Sequence, residues 1–400
     1  MLKKLSFIFF VAFFGCSDGY HYSNNDLENH IPEVHINITT PLEFLSKNEY
    51  SIGSIQIEAN HPSLTMNSKL VEVRGRGNTT WSFPKKPFQI KFEEATEVLG
   101  MPSARKWILL AHYADKSLLR TELAFELSRN SSLNWTSNAE FVELYVNAEY
   151  LGVYQLVEKI EALPNRVNDG QGFLLEVNRP NRLGPDDIYF ESNYHLYTIK
   201  EPKVDFGDPQ FTLMEEYMKA TEDALFGSNF QDSITGYKKF LDVESFADWY
   251  IIHEITKNSE SAWSSSCYLN YVPGGKLKMG PVWDFDLSLG NNYAAKSTEG
   301  FVIKDAGWYT QLFKDSLFVN QVKDRYKDFY AQKGSVFTML EERAELLEDA
   351  QNRNFAKWPI LGVWVWPNAI TFTEYDDEVK YLKDWYSHRM DWLEHAITDL

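Results

Sequence analysis

Two carboxylates stand one residue apart in an otherwise apolar run, GPVWDFDLSLG, residues 280–290. Carboxylates that close repel each other unless a proton or a cation sits between them. Read with period two, Trp283, Phe285, Leu287 and Leu289 fall on one side, and Asp284, Asp286 and Ser288 on the other. That alternation predicts a half-buried strand, because successive side chains point to opposite faces. Such a strand would present Asp284 and Asp286 together to a hard divalent ion, which takes oxygen ligands. For Asp286 a plain outward-facing strand position remains the alternative.

Two further stretches carry polar groups in places where chemistry is often done. VEVRGRGNTTWSFPKKPFQIKF, residues 71–92, reads as strand, Gly-rich loop, strand. Glycine lets backbone N–H groups approach phosphates closely. Arg74 and Arg76 add positive charge to the loop, and Lys91 projects from the polar side of the returning strand toward a cleft beneath it. The competing reading is a simple hairpin with its arginines in solvent. In KNSESAWSSSCYLN, residues 257–270, Glu260 follows a helix that is apolar nearly all round. A polar loop at the end of a rigid element is a common seat for catalytic groups, although most such glutamates are solvated.

The order of these parts is that of protein kinases: Gly-rich loop, strand Lys, loop acid, strand acid. RGRGNTTWSFPKKPFQIKF, ADKSLLRTELAFEL, ELYVNAEYLGVYQLVEKIE, GGKLKMGPVWDFDLSLGN and the tail RNFAKWP…EVKYLKDWYSHRMDWL together resemble the CotH kinase family. These are spore-coat-protein-H-like proteins, also found as exported lipoproteins of Bacteroidetes-type bacteria. The resemblance runs from about residue 35 to 398. It implies an α+β, atypical protein-kinase-like two-lobed fold, strand-rich in its N-terminal part and helix-rich in its C-terminal part. It implies ATP and Mg²⁺ as cofactors, and transfer to Ser/Thr of secreted or surface proteins. Residue by residue, Asp284 matches the family's metal-binding Asp, and Asp286 would share the ion. Arg76 and Asn78 lie in the loop that covers the nucleotide. Lys91 matches the phosphate-binding Lys, and Glu158, in LVEKI, falls where the floor of the nucleotide pocket is expected.

The catalytic loop departs from the family. Where an Asn-x-Asp is usual, this chain has Asn258-Ser259-Glu260, and Ser266 stands at a later position where Asn or Ser is found. Displacing a catalytic carboxylate by about an ångström can cost ~10²-fold in rate. A catalytically impaired nucleotide-binding or scaffolding lipoprotein is therefore the alternative function. A surface glycoside hydrolase is a third, since paired carboxylates and abundant aromatics (12 Trp, 22 Tyr) suit sugars. Carboxylates two apart on a strand are, however, too close for either hydrolytic geometry.

The elements that must position these groups follow from pattern. Short strands open the chain: VHINITT, SIGSIQIEA, LVEVRGRGN, PFQIKF. A hairpin turns at Asn147-Ala148, GFLLEVN is another strand, and residues 181–208 read as an insertion. Asp115 is placed to cap a helix carrying Leu118, Leu119, Leu123 and Leu127. VESFADWYIIHEITKN reads as a buried helix, 311–355 as charged amphipathic helices, and Tyr375 to Ile397 as a long terminal one. Strands first and helices after suggest α+β in two lobes.

At the start, Lys3 and Lys4 precede a short apolar run and Gly15-Cys16. This predicts a lipoprotein signal peptide over 1–16, with Cys16 as the lipid anchor to the membrane, a flexible tether over 17–34 and the domain over 35–400. The expected location is the cell envelope, periplasmic or outer surface. Cys267 is the other cysteine, so no internal disulfide is available, and a buried small hydrophobe is expected there. The net charge of −18 argues against nucleic acid as the main partner.

Overall fold

The computed structural model describes residues 30–400. The signal peptide, Cys16 and most of the tether lie outside the described residues. The domain begins earlier than 35: Ile31 is buried and the first strand starts at Glu33.

Seven strands form a closed barrel: β1 (Glu33–Ile38), β2 (Ser51–Glu58), β3 (Met66–Gly75), β4 (Phe88–Val98), β5 (Met101–Leu110), β6 (Ala139–Val146) and β7 (Glu149–Glu158). Neighbours run in the order β1-β2-β3-β4-β5-β7-β6. Pairing is antiparallel except where β6 returns to β1 in parallel and closes the ring. Closure leaves no unpaired edge. Alternating residues such as Val71, Val73, Phe88, Ile90, Phe92, Trp107 and Leu109 fill the interior. Asn147 and Ala148 turn the β6–β7 hairpin with φ of 50° and 64°. Such a two-residue turn needs left-handed backbone, which suits the twist of the flanking strands.

Helix α1 (Arg120–Arg129) lies between β5 and β6. Asp115 reaches its start by accepting from the Arg120 N–H at 3.0 Å, five residues ahead of the position it serves. Outward residues of the barrel, among them Ile108, Phe141, Val153 and Val157, join a second and larger core with α1.

That second core holds a five-stranded sheet, β12-β11-β8-β10-β9. Its members are β8 (Phe173–Asn178), β9 (Tyr189–Glu191), β10 (Leu196–Glu201), β11 (Cys267–Tyr271) and β12 (Lys278–Met279). Residues 181–208 are thus not a mere insertion, because β9 and β10 inside them build the sheet. Cys267 is fully buried in β11, as a small apolar group. Around the sheet lie α2 (Pro209–Phe226), α3 (Val243–Thr256), α4 (Tyr309–Leu312), α5 (Ser316–Ala331), α6 (Lys333–Leu346), α7 (Glu348–Lys357) and α8 (Tyr375–Thr398). Asp242 caps α3, accepting from the Ser245 N–H at 3.0 Å. Lys257 ends the helix in a left-handed conformation (φ 50°). The strand-rich barrel and the helix-rich remainder give the expected two-lobed α+β architecture. Among the described residues no helix is long and apolar enough to cross a membrane.

The run 280–290 differs from expectation. It is an irregular segment followed by turns, and Asp284 has φ 74°. The alternation of burial survives through Leu287: Trp283, Phe285 and Leu287 are buried, Asp284 and Asp286 half-buried; Ser288, expected on the side of the aspartates, is buried. The pattern reports which side faces the core, but no partner strand is there to hydrogen-bond the backbone.

Candidate active site

A cleft of about 590 Å³ opens between the barrel and the second sheet. Its size is within the usual range for small-ligand sites. The barrel contributes residues 76–80, Phe83, Lys85, Pro87 and the end of β5 through Tyr113. The other side contributes Glu176, Arg182, Glu260, Ser266, Tyr268 and residues 283–287.

The roof is the β3–β4 loop. Gly77 adopts φ 86°, and a Cβ there would lie 2.1 Å from Thr80 Oγ1. Only glycine fits both the conformation and the space. The Arg76 guanidinium lies over the Trp283 ring, 5.6 Å from its centre. Burial lowers the Arg76 pKa, and the nearby Asp284 carboxylate opposes that shift. Asn78 is exposed at the cleft's rim.

The floor is acidic. Asp284 occupies left-handed backbone as a non-glycine residue, and such strain persists only where surrounding contacts enforce it. Its carbonyl accepts from Asn258 Nδ2 at 2.9 Å, and its carboxylate accepts from the Ser266 hydroxyl at 3.0 Å. The Ser266 N–H in turn donates to Glu176 Oε1 at 3.1 Å. Two polar positions of the loop after α3, 258 and 266, thus both serve to hold Asp284. Burial pushes the Asp286 carboxyl well up, and repulsion from Asp284, Glu260 and Asp115 adds to it. Burial likewise raises Glu260, with Asp284 adding and Arg182 opposing. Four carboxylates, Glu176, Glu260, Asp284 and Asp286, therefore line one cleft, and within it Asp286 and Glu260 are made costlier to ionise by their acidic neighbours. Hard oxygen donors under mutual repulsion fit a divalent cation such as Mg²⁺, which needs only one or two of them. They do not close a three-ligand cage. Among the described residues the group that does is Glu33, His35 and Glu58 on the barrel's outer face, with ligand atoms within 4.8 Å.

Arg76, Asn78, Glu260, Asp284 and Asp286 thus come together. Lys91 and Glu158 do not line the cleft. Lys91 faces out of the barrel, where its cross-strand partner is Glu72, and the two form an ion pair at 2.5 Å. Glu158 is buried at the end of β7, accepts from Asn138, and lies 3.6 Å from Arg166 Nε. The lysine that does line the cleft is Lys85, beside the arginines Arg76 and Arg182. It is buried, donates to Asn354 Oδ1 at 2.8 Å and to the Val153 carbonyl, and sits 4.7 Å from the centre of the Tyr154 ring. Burial lowers its pKa well below the lysine range, and no carboxylate offsets this. A buried cation without a counter-charge is costly alone and favours an anion arriving beside it. His112 also lines the cleft, held neutral by burial with a pKa of about 4.

Residues 73–393 match the family model described as CotH kinase protein. The chain belongs to the CotH kinase family. No curated protein matches the sequence. The match spans the roof, the floor and most of the helical lobe, so the kinase-like domain includes the whole cleft. Within this CotH domain, Lys85, Glu176 and Arg182 are the lining groups that sequence reasoning missed. The doubled lysine before Pro87 shows basic charge at the end of the loop but not which of the two is buried. For Glu176, the signal was an acid inside the apolar strand FLLEVN.

Proposed function

We propose that this CotH-family domain transfers the γ-phosphoryl group of ATP to a Ser or Thr hydroxyl of a secreted or surface protein. One observation carries the reading: five groups from distant parts of the chain, Arg76, Asn78, Glu260, Asp284 and Asp286, line a single cleft. Lys85 and Arg76 supply positive charge for the phosphates, and Gly77 lets the roof backbone come close. Asp284, with Asp286, would hold Mg²⁺, which neutralises charge on the β- and γ-phosphate oxygens. The acceptor oxygen forms the new bond to phosphorus as the bond to the leaving ADP oxygen breaks. Glu260 takes the hydroxyl proton. Its raised pKa makes it a stronger base than an ordinary carboxylate. Export and a lipid anchor on Cys16 place the domain at the periplasmic or outer surface of the envelope. Its acceptors then belong to that compartment.

The replacement of the usual catalytic Asp by Glu260 favours a second reading, nucleotide binding without turnover. One experiment separates the two. The purified protein is incubated with labelled ATP, Mg²⁺ and envelope proteins, and its melting temperature is followed with and without Mg-ATP. The kinase reading expects transfer that Asp284→Ala abolishes, and a Mg-ATP-dependent thermal shift lost in the same variant. A thermal shift without transfer supports the second reading, and Glu260→Asp should then gain activity. Absence of both, unchanged by Asp284→Ala, removes nucleotide chemistry from this cleft.

A further inference from the structure

The segment between α7 and α8 leaves large apolar side chains in water beside the cleft. Val363, Trp364, Trp366 and Ile370 are 51%, 56%, 48% and 39% exposed, and Tyr293 is 65% exposed. Single exposed hydrophobes are ordinary, but a contiguous group marks an interaction surface. The segment is firmly built. Asn368 pairs with Asn292 in an isolated bridge, which brings Tyr293 beside the loop. The Asn368 side chain donates to the Ala114 carbonyl and to Asn291 Oδ1, both at 2.8 Å. Asn291 Nδ2 donates to the main-chain oxygen of Asp286 at 2.5 Å. The Trp364 indole N–H donates to the Asn368 carbonyl at 2.9 Å. Lys116 Nζ fastens the Val363 carbonyl at 2.7 Å. The apolar shelf is therefore tied, through two asparagines, to the backbone of the acidic floor. Trp366 belongs to both, being exposed on the shelf and part of the cleft wall.

We propose that this shelf binds the polypeptide acceptor, selecting hydroxyl residues flanked by large apolar side chains. The inference rests on the kinase reading of the cleft. Its occupant follows from continuity: Trp366 lines the cleft that holds Asp284 and Glu260 and is also exposed on the shelf, so a chain whose hydroxyl reaches those carboxylates finds the shelf adjoining the cleft wall. The chemistry of the shelf also separates peptide from sugar. Sugars stack on aromatics but need polar partners at their edges. Within the apolar run 363–370 the polar residue is Asn368, which is buried with both amide donors spent internally, and its neighbours Val363 and Ile370 are aliphatic.

The test uses two fluorescein-labelled peptides that differ only beside a central serine, one carrying Leu and Trp, the other Gly and Asn. Their binding is followed by anisotropy without nucleotide, and separately as phosphoryl acceptors. The wild-type protein is expected to bind the apolar peptide about tenfold more tightly, the worth of one well-buried apolar side chain. Trp364→Ala and Val363→Ser, both outside the cleft lining, should erase that preference while leaving the polar peptide unchanged, and Val363→Ser, which keeps the Trp364–Asn368 and Lys116 hydrogen bonds, should also leave the melting temperature unchanged. Equal binding of the two peptides, or a preference that survives both substitutions, overturns the proposal. So does Trp364-dependent binding of cello- or malto-oligosaccharides in its place. Apolar-peptide binding without transfer would leave the shelf standing and count only against the kinase reading.

Discussion

Lys85 sets binding against stability at a single position. Its ammonium is buried, unpaired by any carboxylate, and held by neutral oxygens alone. Replacing it by Met removes a desolvated cation and keeps the apolar stem. The expected result of Lys85→Met is a melting temperature that holds or rises, together with at least a tenfold weaker Mg-ATP thermal response, roughly the worth of one charge-assisted contact. A large fall in melting temperature would show the lysine to be structural. The same residue marks the limit of reading sites from sequence. Asp284 and Asp286 were legible as charges in an apolar run, Arg76 as one in a Gly-rich loop, and Glu260 as an acid in the polar loop that ends a buried helix. Lys85 was not, because burial of a lysine depends on elements far away in sequence: Val153 of β7 and Asn354 of α7 close over it. Lys91 was misplaced for a related reason. Alternation in β4 correctly put it opposite Phe88, Ile90 and Phe92, but in a closed barrel that opposite side is the outside, where Glu72 waits across the strand pair.

Between elements, charges decide how well the lobes' parts hold. Glu254 of α3 and Arg389 of α8 are both fully buried and pair at 3.0 Å. Glu254 also accepts from the N–H groups of Val302, Ile303 and Lys304. Removing one member of such a pair strands the other charge in the core. Arg389→Leu is expected to cost about 3–5 kcal/mol in denaturant unfolding; a loss under about 1 kcal/mol would contradict that accounting. Glu140 of β6 presents the opposite case. Burial raises its pKa to about 7, Arg343 and Arg129 oppose the shift, and Glu122 adds to it. The folded state thus binds this proton more tightly than the unfolded chain, whose carboxyl titrates near 4.5. Its ionisation costs nothing below that value, begins to destabilise as pH rises through it, and costs the full amount above about 7. Glu140→Gln should therefore raise the melting temperature more at pH 8 than at pH 5, and an equal change at both would refute the assignment. The existence of most elements was readable from their periods. The 280–290 run was not, since a period of two describes burial, and only long-range pairing makes it a strand.

For the whole molecule, strands before helices gave the two-lobed class, but closure of the barrel was hidden. It depends on β1 meeting β6 in parallel across about a hundred residues of chain. The lobes are also joined more tightly than their composition suggests. From α7, Asn354 Oδ1 accepts from the Val153 N–H at 3.1 Å, and Arg353 grips Glu143 with two contacts at 2.8 and 2.7 Å. Trp358, just beyond the helix, donates its indole N–H to the Leu151 carbonyl at 2.8 Å. Calorimetry of the intact chain should show one cooperative transition, whereas Arg353→Ala with Trp358→Ala should split or broaden it as the barrel uncouples. Two well-separated transitions in the wild type would mean that the lobes fold independently.

That rivet between α7 and β7 has a kinetic corollary. If the domain is the kinase proposed above, halves pinned at the back would not gape like a clamshell to admit or expel nucleotide. The burden of gating would then pass to the glycine-hinged canopy of residues 76–87, and turnover would be paced by the rise and fall of a loop.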